Sequence, residues 1–357
     1  MKLIFNKYWA TFLLVKFFWM VFALFIFKNY VQLADLETYL NGSRVDFDNI
    51  FYSSTSMTGF IASTLKKYIG FMGANIAFML ISFYGIYLPL NKLNLSRKSL
   101  IFCLFLLSLP SFGIWSSIVG KEAVSVFFMG ILASYLIDIH SSIRRPQLIE
   151  LFALYLGLIF KIQYVIPVLL AYFYILIKNK LNLSSLQQLI VLSCLLSFSI
   201  YLVWEFSDEI NRLSFVITSH FSTDARSTRD PFWINDYDIF YKSITGIFTS
   251  FIGPTFFESL NRPAVMPFFI ESFLIFSIFI SHLLYKALSS LAKNSINIYK
   301  VSLFVIIFLG ILTLSYPLGV SNYSTAIRYR EGYYGFLVVF YFFLFVSNKN
   351  NKSMLKK

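Results

Sequence analysis

Reactive side chains are scarce in this chain: two Cys, three His and 17 carboxylates in 357 residues. Cys103 and Cys194 both fall inside apolar stretches, so neither a disulfide framework nor a thiolate metal motif can be drawn. His140, His220 and His282 stand in unrelated segments and share no ligand spacing. There is no glycine-rich phosphate loop and no dinucleotide fingerprint, which leaves ATP-driven transport and redox chemistry without support. Nothing in the spacing asks for a metal or a cofactor. Charged residues of every kind reach only 13%.

What fills the space is hydrophobic: 58% of the residues, with aromatics alone at 20%. Runs of about 20 apolar residues match the thickness of a bilayer core. The pattern predicts an all-α, polytopic membrane protein, a single transmembrane domain over 1–357 with ten spans and both termini cytoplasmic. The spans read as 8–27, 68–90, 100–119, 123–139, 148–160, 163–177, 186–204, 265–285, 301–318 and 332–346. Lys2 and Lys7 precede a first span too long for a cleaved signal peptide, which predicts a retained signal anchor. Spans 148–160 and 163–177 are short. Thirteen helical residues reach about 20 Å, so either the bilayer thins there or Lys161 at their junction lies in a polar cavity.

The loops sort their charge. With Met1 inside, 13 of the 20 Lys fall on the inner side, whereas 7 of the 10 Arg and 15 of the 17 acids fall on the outer side. Lys inside sets topology, so the net charge of +13 is a positive-inside bias and no nucleic-acid partner is expected. Arg outside is not needed for topology. Its planar fork suits phosphate. Arg and carboxylates on one face suggest chemistry on a phosphate-bearing lipid at that surface.

Four stretches could carry that chemistry. In the outer segment 28–67, Asp35 and Tyr39 share a helical face, with Glu37 pointing elsewhere. Asp35 is a candidate base, and the plainer reading is an interfacial helix with solvated acids. Gly120-Lys121-Glu122 opens a span at a very short turn, where ionisable groups are costly and often functional. Glu122 would otherwise be a favourable first-turn acid and Lys121 a snorkelling cation. Arg328-Tyr329-Arg330-Glu331 lies in an outer turn over 319–331. In an extended segment Arg328 and Arg330 project together, and in a helix they do not. An ion pair with Glu331 or with an acid of another loop is the alternative there.

The loop 205–263 carries Arg226 and Arg229, then Trp233 amid Asn and Asp, a composition suited to stacking on sugars. Exposed polar loops share that composition. Arg262, before Pro263, is a further phosphate candidate. A semi-apolar stretch, 244–257, is interrupted by Gly253-Pro254 and reads as re-entrant or interfacial. Lys16 and Glu271 lie inside spans, either snorkelling or paired.

Asp35 with Tyr39, Pro110…Trp115…Lys121-Glu122 and Asn322…Arg328-Tyr329-Arg330, taken in order, resemble the bacterial O-antigen, capsule and exopolysaccharide repeat-unit polymerases of the Wzy type. The resemblance covers most of the chain in topology, and its motifs are short. It implies a glycosyltransferase in the bacterial inner membrane that joins undecaprenyl-pyrophosphate-linked oligosaccharide repeats at the periplasmic face. No nucleotide sugar or cofactor would be needed. The partners it implies are the lipid-linked oligosaccharide, the bilayer, a chain-length regulator and other envelope-assembly membrane proteins. On this resemblance Arg328 and Arg330 hold the donor pyrophosphate, Arg226 and Arg229 are second candidates, Asp35 or Glu122 is the base and Lys121 a further phosphate contact. The second periplasmic loop is shorter and poorer in Arg than is usual in the family.

Two rivals remain. A C-type glycosyltransferase adding one sugar from a polyprenyl monophosphate also uses an acid after its first span. Here Leu36 separates Asp35 from Glu37, so that fold's acid pair is incomplete. A lipid-linked glycan transporter would bring Lys16, Lys161 and Glu271 into one cavity.

Overall fold

A computed structural model describes residues 6–31, 33, 35–219, 227–292 and 297–346. Among the described residues the secondary structure is helical and no strand occurs, apart from one isolated bridge between Thr228 and Asn322. Seven helical segments are long and apolar enough to cross a membrane: Lys7–Asn29, Ser54–Lys92, Lys121–Ser141, Ile162–Leu181, Ser185–Glu205, Pro263–Tyr285 and Ile298–Val320. The chain is a multi-pass membrane protein.

Three of the ten expected spans have a different form. The stretch 100–119 is not one helix. It ends early at Leu106 and restarts at Pro110. The stretch 163–177, expected to be short, lies in a 20-residue helix over Ile162–Leu181, whereas 148–160 is a helix of the expected 13 residues. The last span begins earlier than expected, in a helix over Tyr323–Phe345. Arg328 and Arg330 are therefore helical residues and not members of an extended outer turn. Asn322 explains the early start, because its side chain accepts from the Thr325 amide at 3.0 Å and caps the helix.

The chain forms two compact units, Met1–Val165 with Glu331–Lys357 (unit 1) and Ile166–Arg330 (unit 2). Unit 1 holds α1 (Lys7–Phe25), α2 (Leu36–Asn41), α3 (Ser54–Lys92), α4 (Arg97–Leu106), α5 (Pro110–Trp115), α6 (Lys121–Ser141) and α7 (Leu148–Phe160). The main crossing is α3 on α6. A methyl group at Gly130 would lie 1.8 Å from Gly85 O, and one at Gly85 would lie 2.5 Å from Val126 O. Only glycine permits backbones this close, the device by which helices associate in lipid. The span on α6 is 83% buried, as expected for a helix that is apolar all round. α3 is kinked at Gly70, whose φ of +75° lies in the left-handed region. The kink separates residues 54–69 from the membrane-length portion 71–92.

In α1 the inward stripe reads Trp9, Phe12, Lys16, Met20, Ala23. A lysine occupies a core position at helical spacing.

The chain enters unit 2 within α8 (Ile162–Leu181). The unit continues through α9 (Ser185–Glu205), α10 (Ser207–Ser219), α11 (Asp238–Tyr241), α12 (Ser243–Ile252), α13 (Phe256–Asn261), α14 (Met266–Ala292), α15 (Ile298–Phe304) and α16 (Gly310–Val320). It leaves within α17 (Tyr323–Phe345). A π-helical turn over Val305–Leu309 joins α15 to α16. α9 is the opposite of α6: only 11% of its span is buried, and Gln188 and Leu192 are its buried residues. α12 is a ten-residue helix packed along α16. A methyl at Gly246 would lie 2.7 Å from the Tyr316 ring, and one at Gly319 would lie 2.3 Å from Ser250 Oγ. The break that follows is at Gly253, with φ +79°.

Candidate functional site

The sequence candidates divide between the units. Asp35, Tyr39, Lys121 and Glu122 belong to unit 1. Arg229, Trp233, Arg328 and Arg330 belong to unit 2. Arg226 lies outside the described residues.

In unit 1 the candidates surround an irregular backbone. Between α5 and α6, residues 116–120 are non-helical and buried. Such backbone survives at membrane depth only when protein groups satisfy it. Here they do. Lys16 Nζ donates to Ser116 Oγ at 2.6 Å and to Ser116 O at 3.3 Å. Ser82 Oγ donates to the same carbonyl. Val119 N donates to Asn75 Oδ1 at 2.9 Å. At the preceding break, between α4 and α5, Trp19 Nε1 donates to Ser108 O at 2.8 Å. Ser111 Oγ donates to Glu331 Oε1 at 2.8 Å. Lys16 is fully buried, so it does not snorkel.

The held backbone runs directly into the start of α6. Gly120 leaves room there. A methyl in its place would lie 2.9 Å from Glu122 Oε2. Lys121 Nζ donates to Thr55 Oγ1 at the start of α3 at 2.7 Å, and Ser125 Oγ returns to Lys121 O at 2.8 Å. Lys121 is thus fixed by a neighbouring helix. Glu122 is 3% exposed, too buried for a solvated first-turn acid.

α2 packs on the first half of α3, with Tyr39 buried close to Gly59. Asp35 sits at the start of α2 and its carboxylate faces Arg44 at 3.3 Å, both partly exposed. Tyr39 N donates to Asp35 O at 2.9 Å, so the two are one helical turn apart, as the spacing suggests. The first-segment helix, the start of α3 and the start of α6 are therefore one neighbourhood, of which the sequence named the first and the last as separate pieces.

The far end of α6 is about 30 Å away at 1.5 Å per residue, and its chemistry differs. Lys92 and Arg144 reach Asp138 at 2.7 and 2.8 Å, and Arg144 reaches Glu150 at 2.6 Å. The hydrogen bond to Glu150 and the charges of both acids raise the Arg144 guanidinium further above its usual range. That end is closed by ion pairs that tie α3, α6 and α7.

In unit 2 two of the arginines expected to hold pyrophosphate, Arg229 and Arg330, hold backbone instead. Arg229 forms a fork on Glu258, Nε to Oε1 at 2.7 Å and Nη2 to Oε2 at 2.9 Å. It also donates to Val320 O at 2.9 Å and to Gly253 O. Four of its five N–H groups are used. Arg330, fully buried, donates to Phe251 O at 3.0 Å and to Ser272 Oγ, with Glu271 Oε1 3.9 Å from Nη2. Phe251 O and Gly253 O lie at the C-terminal end of α12, where a helix leaves its carbonyls unbonded and carries partial negative charge. Two guanidinium groups supply both needs.

Burial alone would raise the Glu258 carboxyl. The Arg229 hydrogen bonds and charge, with the Thr255 amide and hydroxyl, outweigh it and hold the group below its usual value.

Trp233 also departs from expectation. It is 2% exposed and packs edge-on against Tyr316, in a cluster with Ile239 and Val320. Its ring belongs to the core of unit 2 and offers no stacking surface. The turn around it is fixed by Asp238, which accepts from Lys242 Nζ at 2.7 Å and from the Ile234 and Asn235 amides. Those bonds, led by the lysine, pull the Asp238 carboxyl down to about 2. Arg328 is half-buried in the first turns of α17.

Sequence reasoning overlooked Glu258, Asn75, Ser82 and Ser116, whereas Glu271, read as snorkelling or paired, faces Arg330. Glu258 was findable: Thr255-Phe256-Phe257-Glu258 is a capping box, and both of its bonds form. The serines carry no such signal, since a serine in a span is ordinary until the facing lysine is known.

Chemically, unit 1 offers a buried carboxylate and a fixed ammonium at a span's start, and a partly exposed carboxylate at the start of α2. That set can accept a proton and hold a negative group. No protein-family model, curated protein or solved structure matches the chain.

Proposed function

We propose that this chain is a membrane-embedded glycosyltransferase working on polyprenyl-linked glycan at the outer face of the bacterial inner membrane. In this reading it joins undecaprenyl-pyrophosphate-linked oligosaccharide repeats into a surface polysaccharide. The start of α6 supports it most. Lys121, bound to Thr55 at 2.7 Å, and buried Glu122 are held at the end of a membrane helix by a rigid, hydrogen-bonded break. A carboxylate there can take the proton of an attacking sugar hydroxyl, and an ammonium can offset charge on a departing phosphate. Asp35, on the adjoining first-segment helix, is the alternative base. Arg229 and Arg330 drop out as donor contacts, because their donors are already engaged. Arg328 and Arg226 remain candidates for the pyrophosphate.

One observation favours a second reading, the C-type single-sugar transferase. The segment between the first two membrane-length helices carries α2 and the pre-kink helix 54–69. A first loop with helices of its own is what that fold requires.

Deleting the gene in the native host and restoring wild type, Glu122→Gln or Asp35→Asn separates the readings. The surface glycan is run on a gel, with membrane levels of each variant matched. The polymerase reading expects deletion to collapse a ladder of long chains to a single repeat, with Glu122→Gln doing the same. A persisting ladder with one sugar missing per repeat selects the second reading. Loss of all surface glycan with lipid-linked units accumulating inside selects a transporter.

A further inference from the structure

Arg262 closes α13 and immediately precedes the membrane segment Pro263–Tyr285. Its backbone is pinned on both sides: its N–H donates to Ser259 O at 3.3 Å, and its carbonyl accepts from Val265 N at 3.0 Å. The side chain is half-buried, and its guanidinium has one hydrogen bond, Nη1 to Tyr323 Oη at 2.9 Å.

That partner is neutral. Elsewhere in unit 2, Arg212 stands 4.0 Å from Glu209, Arg229 is forked on Glu258 and Arg330 faces Glu271. Among the described residues no carboxylate lies within ion-pair distance of Arg262. Arg229 sits over the same tyrosine ring, 6.0 Å from its centroid. Its charge is already offset by Glu258, whereas Arg262 has no such carboxylate among the described residues.

The surroundings say which anion fits. Phe256, Phe257 and Leu260 on α13 are exposed apolar side chains beside this arginine. Apolar groups next to a cation at the start of a span are what the head-group layer accommodates. Four N–H donors of Arg262 remain in a planar fork that matches two phosphate oxygens.

We propose that Arg262, seated on Tyr323, binds the phosphate of a lipid head group. The site does not depend on the glycosyl-transfer reading. It deepens that reading only if the phosphate belongs to the carrier lipid.

The test uses the full chain, purified in a neutral detergent. Native mass spectrometry follows retention of added phosphatidylglycerol or a polyprenyl monophosphate. Phosphatidylcholine serves as the zwitterionic control. Wild type and Arg262→Lys should retain the anionic lipids. Arg262→Gln should lose about tenfold in apparent affinity, the scale of one charge-assisted pair. Arg212→Gln, which removes a surface arginine of the same unit, should change nothing. A polyprenyl preference would assign the site to the carrier, and equal retention of both lipids would assign it to bulk phospholipid. Both identify the source of the phosphate. If Arg262→Gln binds anionic lipid as wild type does, or Arg212→Gln loses as much, the proposal is overturned. Glycan ladders in cells play no part in this readout, so the proposal and the enzymatic reading fail separately.

Discussion

Each unit contains a broken helix whose backbone is held by buried cations, and the two do it in opposite ways. In unit 2 the end of α12 is capped by Arg229 and Arg330, and each brings a carboxylate with it, Glu258 and Glu271. In unit 1 the non-helical segment 116–120 is held by Lys16, whose ammonium bonds to a serine hydroxyl and a carbonyl and lies 5.3 Å from the Phe112 ring. A paired cation depends on its partner as much as on the backbone it holds. An ammonium bonded only to neutral groups does not. The same backbone problem thus has a charge-balanced solution and a charge-unbalanced one, and the two should respond differently to mutation.

Truncating Arg229 should give the largest effect. Arg229→Met leaves Glu258, two carbonyls and the α12 end without their donor. Removing one member of a largely buried pair strands the other, at a cost of about 3 kcal/mol. Lys16→Met should cost about 1 kcal/mol or less. Ser82 still bonds the Ser116 carbonyl, Ser116 Oγ still donates to Phe112 O, and no acid is stranded. Thermal unfolding in detergent, followed by loss of the monodisperse peak, ranks the two. The comparison breaks if Lys16→Met unfolds at the lower temperature.

A double-mutant cycle sharpens it. Glu258→Gln with Arg229→Met should recover part of the loss, giving a coupling of about 1.5–3 kcal/mol for a forked, charge-assisted pair. Ser116→Ala with Lys16→Met should show a smaller coupling, because the hydroxyl and ammonium are one neutral-to-charged bond.

Acid should then discriminate between the units. The Glu258 carboxyl is depressed in the folded chain relative to its ordinary 4.5. Its contribution is therefore complete above that ordinary value and fades as pH falls through the lower folded one. Asp238 behaves alike, between its ordinary 3.8 and about 2. Wild type should lose stability across this acid window, and Glu258→Gln should lose less. Lys16→Met should follow the wild-type slope, since among the described residues no carboxylate bonds Lys16. A flattened acid slope in Lys16→Met would show that the clamp contains an acid.

The contrast also explains what was legible in advance. Helical class and most spans follow from apolar run length, a one-dimensional property. The breaks at Pro110 and Gly253 carry their own residue signals. Arg229 and Arg330 stood out as arginines where the expected topology does not require them. Their partners are the carbonyls Val320 O, Gly253 O and Phe251 O. A carbonyl is present at every residue and leaves no mark in a sequence, so phosphate was the visible candidate. Trp233 was misjudged for a related reason: an aromatic among polar residues looks exposed until Tyr316, far along the chain, is packed against it. Lys16 could have been placed, since it falls on the same helical stripe as Trp9, Phe12 and Met20.

The smallest expected effect has the sharpest functional content. Asp35 and Arg44 form an exposed pair at 3.3 Å, with side chains 37% and 64% exposed. Exposed pairs contribute about 0–1 kcal/mol. Asp35→Asn should therefore unfold within about a degree or two of wild type, the shift that a few tenths of a kcal/mol produces in a chain of this size. Glu122→Gln is a stricter case, because Glu122 is buried and its loss disturbs the start of α6. An Asp35→Asn variant that keeps wild-type stability but abolishes the glycan product would mark Asp35 as chemical rather than structural. Unchanged product at unchanged stability would leave Glu122 as the remaining base in unit 1. The thermal measurement decides whether either activity result can be read at all, because only for Asp35 does the surrounding structure predict that folding and function come apart.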